Sequence, residues 1–132
     1  MKWTDDLSVG VELIDSEHKS LINAINELFD ACGKGLGRKK ISETLEFMQN
    51  YIRTHFSDEE KLQKKCGYPD YSNHCRYHAS FIEKVGNYSK RLEEEGANIA
   101  LVADFNSFVT DWLINHISRE DKKIGLYIKQ NS

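Results

Sequence analysis

The sequence predicts an all-α protein, an up-down-up-down antiparallel four-helix bundle with a short C-terminal helix. Apolar or histidine positions recur at steps of three and four in four successive segments, which is the pattern of helices that pack side by side. No segment shows the period of two that a half-buried strand requires. Histidines stand early, late, early and late in the four segments, so antiparallel neighbours would bring them all to one end.

The sequence indicates where the first two helices begin and end. Asp15 or Ser16 is expected to cap the first helix, and glycines at 33, 35 and 37 are expected to stop it. The second helix is expected to end before Gly67 and Pro69, which suit a turn. The inner face of the first segment comprises Ile14, His18, Leu21, Ile25 and Leu28. The inner face of the second comprises Ile41, Leu45, Met48, Ile52, His55, Glu59 and Leu62.

The third and fourth segments are separated by the sequence EEEGAN, which interrupts the periodic pattern. A short C-terminal helix is predicted over residues 121–128, where Ile124, Tyr127 and Ile128 have helical spacing. The inner face of the third segment comprises His74, His78, Phe81, Val85, Tyr88 and Leu92. The inner face of the fourth comprises Val102, Phe105, Val109, Leu113 and His116.

Composition indicates the class of protein. The 132 residues suit one domain, 1–132, whose core needs no disulfide. A formal net charge of -3 argues against a nucleic-acid-binding surface. The N-terminus lacks the apolar core of a secretory signal, and no apolar run reaches the ~18 residues of a membrane span, so the sequence favours a cytoplasmic protein. Its three cysteines show no CxxC spacing, which fits reduced thiols.

The stretch GKGLGRKK, residues 33–40, has the glycines and lysines of a phosphate-binding loop. It lacks the Lys-Ser/Thr pair and the preceding strand, so an ordinary interhelical loop is expected. The cations Lys34, Arg38, Lys39 and Lys40 are expected to form a solvated surface rather than a docking site for an acidic partner.

All five histidines lie on the inner faces of the predicted helices. HxxxE at 55–59 and HxxxH at 74–78 each place two side chains one helical turn apart, close enough to converge on one ion. Five buried imidazoles without partners would cost about 1–3 kcal/mol each, a sum comparable with the stability of a whole domain. Either pair alone is weak evidence, but their joint placement predicts a metal centre.

The number of candidate ligands indicates two metals. The candidates are His18, His55, Glu59, His74, His78, His116 and Asp121. Zinc prefers four ligands and octahedral first-row ions six, so one ion cannot hold them all. If both carboxylates and one water-derived oxygen bridge two octahedral ions, a single position stays open for a small molecule. Nitrogen and oxygen ligands without thiolate favour iron.

Asp121 has the least regular sequence spacing among these candidate ligands. It lies five residues after His116, which on a regular α-helix separates the two side chains by about 140°. The fourth helix is therefore expected to be distorted or to end between them. The pattern also differs from ferritin-like carboxylate sites, because no ExxH repeat occurs.

The sequence resembles the hemerythrin family, and within it the bacteriohemerythrins, over nearly its full length. The N-terminal part of the resemblance runs from Trp3 through Val9, Gly10, Val11, Ile14 and Asp15 to His18. It continues with the sequences HFSDEE and GYPDY, the HxxxH pair, and WLxxHxxxxD.

The resemblance implies a non-haem centre of two Fe ions, bridged by the two carboxylates and by an oxo or hydroxo group. It places His74, His78 and His116 on one iron. The other iron, held by His18 and His55, keeps a position open for dioxygen as ligand.

Apolar residues that neighbour the ligands in sequence are expected to line a dry oxygen pocket. They are Leu21, Phe56, Trp112, Leu113 and Ile117. Each of the five also fits a plain core position. Such a pocket offers no acid to cleave a peroxide bond, which favours reversible binding over oxidation chemistry.

The leading hypothesis is reversible dioxygen binding for transport, storage, delivery or sensing, with an oxygen-consuming acceptor protein as a candidate partner. The alternative is a di-iron enzyme acting on peroxide, nitric oxide or ferrous iron, which needs electrons or protons delivered to the site. A metal-free or zinc-bearing structural bundle is disfavoured, because several imidazoles and both carboxylates would then lack sufficient partners.

Overall fold

A computed structural model describes residues 2–130 and shows four long helices and a fifth, shorter one. The helices are α1 (Glu12–Gly33), α2 (Gly37–Cys66), α3 (Tyr71–Glu95), α4 (Ile99–Asn115) and α5 (Lys122–Gln130). A 3-10 turn, Asp5–Leu7, precedes α1, and a π-helical turn, His116–Asp121, joins α4 to α5. No strand occurs within residues 2–130. The predicted fold, including its C-terminal helix, is confirmed.

Short connections make consecutive helices antiparallel. Residues 34–36, 67–70 and 96–98 link the four long helices, and links of this length allow little except reversal of the chain. α1 packs against α2 and α2 against α3, while α4 contacts all three. As a result, the start of α1, the end of α2, the start of α3 and the end of α4 share one end of the bundle.

The end of α2 follows from the glycine after it. Gly67 has φ 69° and ψ 36°, the left-handed conformation that glycine adopts without steric cost. This lets the N–H of Tyr68 donate to the carbonyl of Gln63 at 2.9 Å, a common helix-ending arrangement. The predicted end of the second helix is confirmed.

The start of α1 differs from the prediction. The helix begins at Glu12 and has no side-chain cap, so neither Asp15 nor Ser16 caps it. Asp15 lies in the first turn, where its carboxylate accepts hydrogen bonds from the Ser8 hydroxyl and the Val9 N–H. The prediction was wrong because this carboxylate binds the preceding segment rather than the free amides of its own helix.

The α1–α2 connection is shorter than the GKGLGRKK stretch suggested. α2 begins at Gly37, so the last four of these residues form its first turn. A β-carbon at Gly37 would lie 2.6 Å from Cys32 Sγ, and glycine therefore allows the two helices to approach closely.

The core fills the centre of the bundle with aliphatic and aromatic side chains. Its fully buried members include Leu21, Leu28, Ile41, Leu45, Met48, Ile52, Phe81, Phe105 and Ile117. Ten polar or charged residues among those the structure describes are also buried, including all five histidines. Such groups need partners, and most of them lie at the end of the bundle described next. None of the described helices has the length and hydropathy needed to cross a membrane.

Candidate metal centre

The structure brings the five histidines together at one end of the bundle, and each is at most 5% exposed. The rings of His18 and His55 lie 4.7 Å apart between centroids, on α1 and α2. The His74 ring, on α3, lies 4.5 Å from that of His78 and 4.6 Å from that of His116. Residues distant in the sequence therefore form one compact group of imidazoles.

Glu59 lies between the two halves of this group and is fully buried. Its Oε1 is 3.0 Å from His55 Nε2 and 3.2 Å from His18 Nε2. Its Oε2 is 3.0 Å from His78 Nε2 and 3.2 Å from His74 Nε2. Each carboxylate oxygen thus faces a different pair of imidazoles, as a ligand shared by two ions would.

Asp121 faces the same group from the opposite side. Its Oδ2 is 2.9 Å from His18 Nε2, and its Oδ1 is 3.0 Å from His74 Nε2 and 3.1 Å from His116 Nε2. Both oxygens are buried, yet neither has a hydrogen bond of acceptable geometry among the described residues. A buried carboxylate without hydrogen bonds is costly, whereas coordination to a cation would use both oxygens.

The π-helical turn explains how Asp121 reaches the site. Over His116–Asp121 the helix takes hydrogen bonds one residue longer than in an α-helix, and the N–H of Lys122 donates to the carbonyl of Ile117. Each turn then holds an extra residue, which brings side chains five apart to one face. The expectation that the fourth helix is distorted between these residues is confirmed.

Two overlapping sets of ligand atoms result. One set comprises Glu59, His74, His78, His116 and Asp121; the other comprises His18, His55, Glu59 and Asp121. Within each set the ligand atoms all lie within 4.8 Å of one another. The buried His/Glu/Asp cluster can therefore hold metal, and the two carboxylates belong to both sets. All seven candidate ligands from the sequence meet here.

Hydrogen bonds alone cannot satisfy all the facing nitrogens of this cluster. His78 Nε2 and His116 Nε2 lie 3.2 Å apart, and only one of two facing nitrogens can donate to the other. A cation between them would accept both lone pairs. The donor set, imidazole nitrogen and carboxylate oxygen without thiolate, suits iron.

Without metal, His55 and His116 hold their protons tightly. Burial lowers the pKa of His55, but the charge of Glu59 and a hydrogen bond to Glu17 outweigh this and raise it to about 10. Burial likewise opposes the charge of Asp121, which raises the pKa of His116 to about 9. Burial raises the pKa of each carboxylate, yet the facing imidazoles hold both well below their usual range. Metal binding would displace these protons.

Two carboxylates outside the cluster orient its histidines, and the sequence reasoning missed both. His55 Nδ1 donates to Glu17 Oε1 at 3.0 Å, and His78 Nδ1 donates to Glu60 Oε2 at 3.0 Å. An acceptor at Nδ1 keeps the proton there and leaves Nε2 free to bind metal. Each residue adjoins a candidate ligand in sequence, and that adjacency was the available signal.

Aromatic rings cover the side of the cluster that faces the core. Phe56 stacks on His78 with ring centroids 3.8 Å apart, and Trp112 stacks on His116 at 4.3 Å. Of the other residues expected to line an oxygen pocket, Leu21, Leu113 and Ile117 are buried in the core. Their position agrees with that expectation, but their role as an oxygen pocket stays a prediction.

Comparison with known proteins gives a consistent set of relatives. Residues 9–127 match the family described as "Hemerythrin HHE cation binding domain". The chain is 32% identical over 127 residues to a bacteriohemerythrin of Stenotrophomonas maltophilia, covering 96% of this chain and 80% of that protein. It is 33% identical over 124 residues to a myohemerythrin of Theromyzon tessulatum, covering 92% and 88%. A crystal structure of wild-type hemerythrin superposes with a TM-score of 0.84 at 30% identity, covering 97% of each chain.

Proposed function

The chain belongs to the hemerythrin family, and from that premise we propose that it binds dioxygen reversibly at a non-haem di-iron centre. In this proposal His74, His78 and His116 bind one iron. His18 and His55 bind the other, and the two carboxylates of the cluster bridge both. Two bound ferrous ions supply the electrons and the open coordination position that reversible dioxygen binding requires.

One observation carries the proposal: Glu59 and Asp121 are common to two sets of ligand atoms that otherwise contain different histidines. A single ion would leave one set of imidazoles facing each other without a partner. The division is also unequal, with three histidines in one set and two in the other. An ion held by the smaller set would have one protein ligand fewer, so that coordination position would be open to an external ligand.

The protein's own groups fix and shield this site. Glu17 and Glu60 hold the rings of His55 and His78 with Nε2 toward the proposed irons. The residues proposed to line the oxygen pocket and exclude water are Leu21, Phe56, Trp112, Leu113 and Ile117. A dry, apolar surface neither protonates bound oxygen nor offers a competing ligand, so release as free oxygen is favoured.

Oxygen cycling tests the function. Protein loaded with ferrous iron under anaerobic conditions is mixed with oxygen, evacuated and mixed again while its visible absorption is followed. We expect a charge-transfer band that appears, disappears and returns over several cycles. Protein carrying zinc in the same site is the control and should show no band.

The rival function, a di-iron enzyme acting on peroxide, nitric oxide or ferrous iron, gives a different result in the same apparatus. An enzyme would bleach irreversibly after one exposure or would consume added reductant continuously. Either outcome rejects the proposal of reversible dioxygen binding. Transport, storage, delivery and sensing all use the same reversible step, and an oxygen-consuming acceptor protein would be the partner in delivery.

A further inference from the structure

A groove with a cavity volume of about 980 Å³ runs between α1 and α4. It begins where α1 ends and where α2 and α4 start, at the end of the bundle opposite the histidine cluster. Its lining includes no candidate metal ligand. It is therefore a separate feature that the proposed oxygen chemistry does not use.

Between its mouth and Asn106 the groove is mainly apolar, with Asn26 also among its lining residues. Its floor contains the buried side chains of Ile25 and Val102, and its walls contain Phe29 and Ile99, which are 62% and 73% exposed. The apolar wall of α4 runs from Ile99 to Asn106, where polar groups begin. The seven steps from Ile99 to Asn106 rise about 10 Å along the helix, the reach of a medium-length aliphatic chain.

The mouth of the groove is positively charged. Arg38 and Lys39 line it in the first turn of α2, and within residues 2–130 no carboxylate lies at ion-pairing distance from either. The next residue, Lys40, in contrast pairs with Glu27 and Glu43. The first turn of α2 also contains no acidic residue, so the positive end of the helix dipole adds to the same potential.

Asp111 lines the groove as well, but far from this mouth. It lies twelve residues beyond Ile99 on α4, about 18 Å along the helix. The groove thus has cations at one end, a mainly apolar middle and polar groups at the other end.

We propose that this groove binds a medium-chain carboxylate such as decanoate. The anionic head pairs with Arg38 and Lys39, and the aliphatic chain lies between Phe29 and Ile99 over the floor of the groove. A concave apolar surface of this volume with a few polar groups that fix orientation is the usual form of a small-molecule site.

Two other occupants fit the features less well. A second copy docked groove to groove by a two-fold axis would set one concave surface over the other, so neither apolar floor would be filled. An anionic membrane surface would meet the exposed rims but would leave the concave floor uncovered. A single chain with one charge matches both the floor and the mouth.

Isothermal titration calorimetry of the iron-loaded full chain with decanoate tests the proposal. We expect saturable binding of one decanoate per chain. Decanol, which lacks the charge, and decyltrimethylammonium, which reverses it, should each bind at least about fivefold more weakly, because exposed ion pairs contribute modestly. Oxygen cycling on the same preparation reports separately on the metal centre.

Matched variants locate the site. Ala103 is exposed and lines the groove, while Ala100 is exposed on the same helix outside it. Ala103→Trp should fill the groove and weaken decanoate binding more than about tenfold, whereas Ala100→Trp should leave it unchanged. Arg38→Glu should weaken binding at least about fivefold, and Lys34→Glu, with the same change in net charge outside the lining, should have little effect.

Three results would overturn the proposal. The first is no saturable decanoate binding, or binding that Ala103→Trp leaves intact. The second is a dimer in solution that Ala103→Trp dissociates, which would assign the groove to a second copy. The third is binding to vesicles of anionic lipid, lost in Arg38→Glu, without binding of free decanoate.

Discussion

At the scale of single residues, Glu59 is the side chain on which the candidate centre most depends. Its two oxygens face four imidazole nitrogens at 3.0–3.2 Å, whereas the two oxygens of Asp121 face three. Removing its charge should therefore weaken both metal positions at once.

Glu59→Gln tests this dependence with a side chain of nearly the same shape. We expect the iron content to fall from about two per chain to one or fewer, because an amide offers one weaker oxygen ligand in place of two anionic ones. Iron analysis after reconstitution and desalting measures the content, and circular dichroism checks folding. Glu46→Gln, exposed on the same helix, is the control. Two retained irons in Glu59→Gln would reject the shared-ligand assignment.

Glu17 is not a candidate ligand itself; it acts by orienting the ring of His55. Glu17→Gln should lower iron affinity about 10–100-fold, the usual effect of losing a carboxylate that orients a ligating imidazole. Glu60→Gln should have a smaller effect, because the Glu60 side chain is 31% exposed while that of Glu17 is only 8% exposed. Competition with a chelator measures both variants, with Glu12→Gln as the control. Equal affinities in all three would show that neither residue orients a ligand.

Sequence spacing predicted all seven cluster residues but not the groups behind them. HxxxE and HxxxH each depend only on positions along a single helix, so both can be recognised without knowing how the helices pack. Glu17 and Glu60 find His55 and His78 only because α1 packs on α2 and α2 on α3. Spacing also placed Leu62 on the inner face, whereas Leu62 is half-buried and Gln63 is fully buried.

At the scale of elements, α5 holds the π turn and Asp121 in place. Gly125 packs so closely on the N-terminal segment that a β-carbon there would lie 1.9 Å from the carbonyl oxygen of Val9. That segment is itself fixed by the carboxylate of Asp15. Contacts outside the bundle therefore set the position of one candidate ligand.

Gly125→Ala tests this packing, and Gly86→Ala is its matched control. Both glycines lie within helices, but a β-carbon at Gly86 meets nothing within 4 Å. Gly125→Ala should destabilise the protein by more than about 1 kcal/mol and speed iron loss to a chelator. Gly86→Ala should stabilise it by about 0.5–1 kcal/mol. Denaturant unfolding measures both changes, and equal stabilities would contradict the close approach of α5.

The sequence indicated a break in the fourth helix but not its form. A separation of five residues excluded a regular α-helix between His116 and Asp121, which left either an ended or a distorted helix. The choice of a π turn depends on how α5 packs against the N-terminal segment. That contact joins residues more than one hundred positions apart, beyond the reach of local spacing.

At the scale of the whole molecule, the antiparallel topology places buried charge at one end of the bundle, and without metal this charge makes stability depend on pH. The raised pKa values of His55, about 10, and His116, about 9, mean that the folded chain binds these protons more tightly than the unfolded chain. Their contribution to the free energy of unfolding is complete below the ordinary histidine value of 6.5 and is lost as the pH rises through 9 to 10.

The two carboxylates have the opposite dependence. Their lowered pKa values contribute stability that is complete above the ordinary values of 4.5 and 3.8 and is lost as the pH falls below them. Thermal unfolding of metal-free protein should therefore give the highest Tm between about pH 4.5 and 6.5, with a decline toward pH 10. Iron-loaded protein should decline less on the alkaline side, because the ions replace the protons. A metal-free Tm that is constant or rises from pH 6.5 to 10 would contradict the charge pairing.

X-ray diffraction at energies on both sides of the iron absorption edge, from crystals of protein loaded with ferrous iron, shows directly whether the cluster holds two irons. We expect two anomalous peaks per chain, one among His74, His78 and His116 and one beside His18 and His55, with Glu59 and Asp121 between them. A single peak, or peaks outside this cluster, would contradict it.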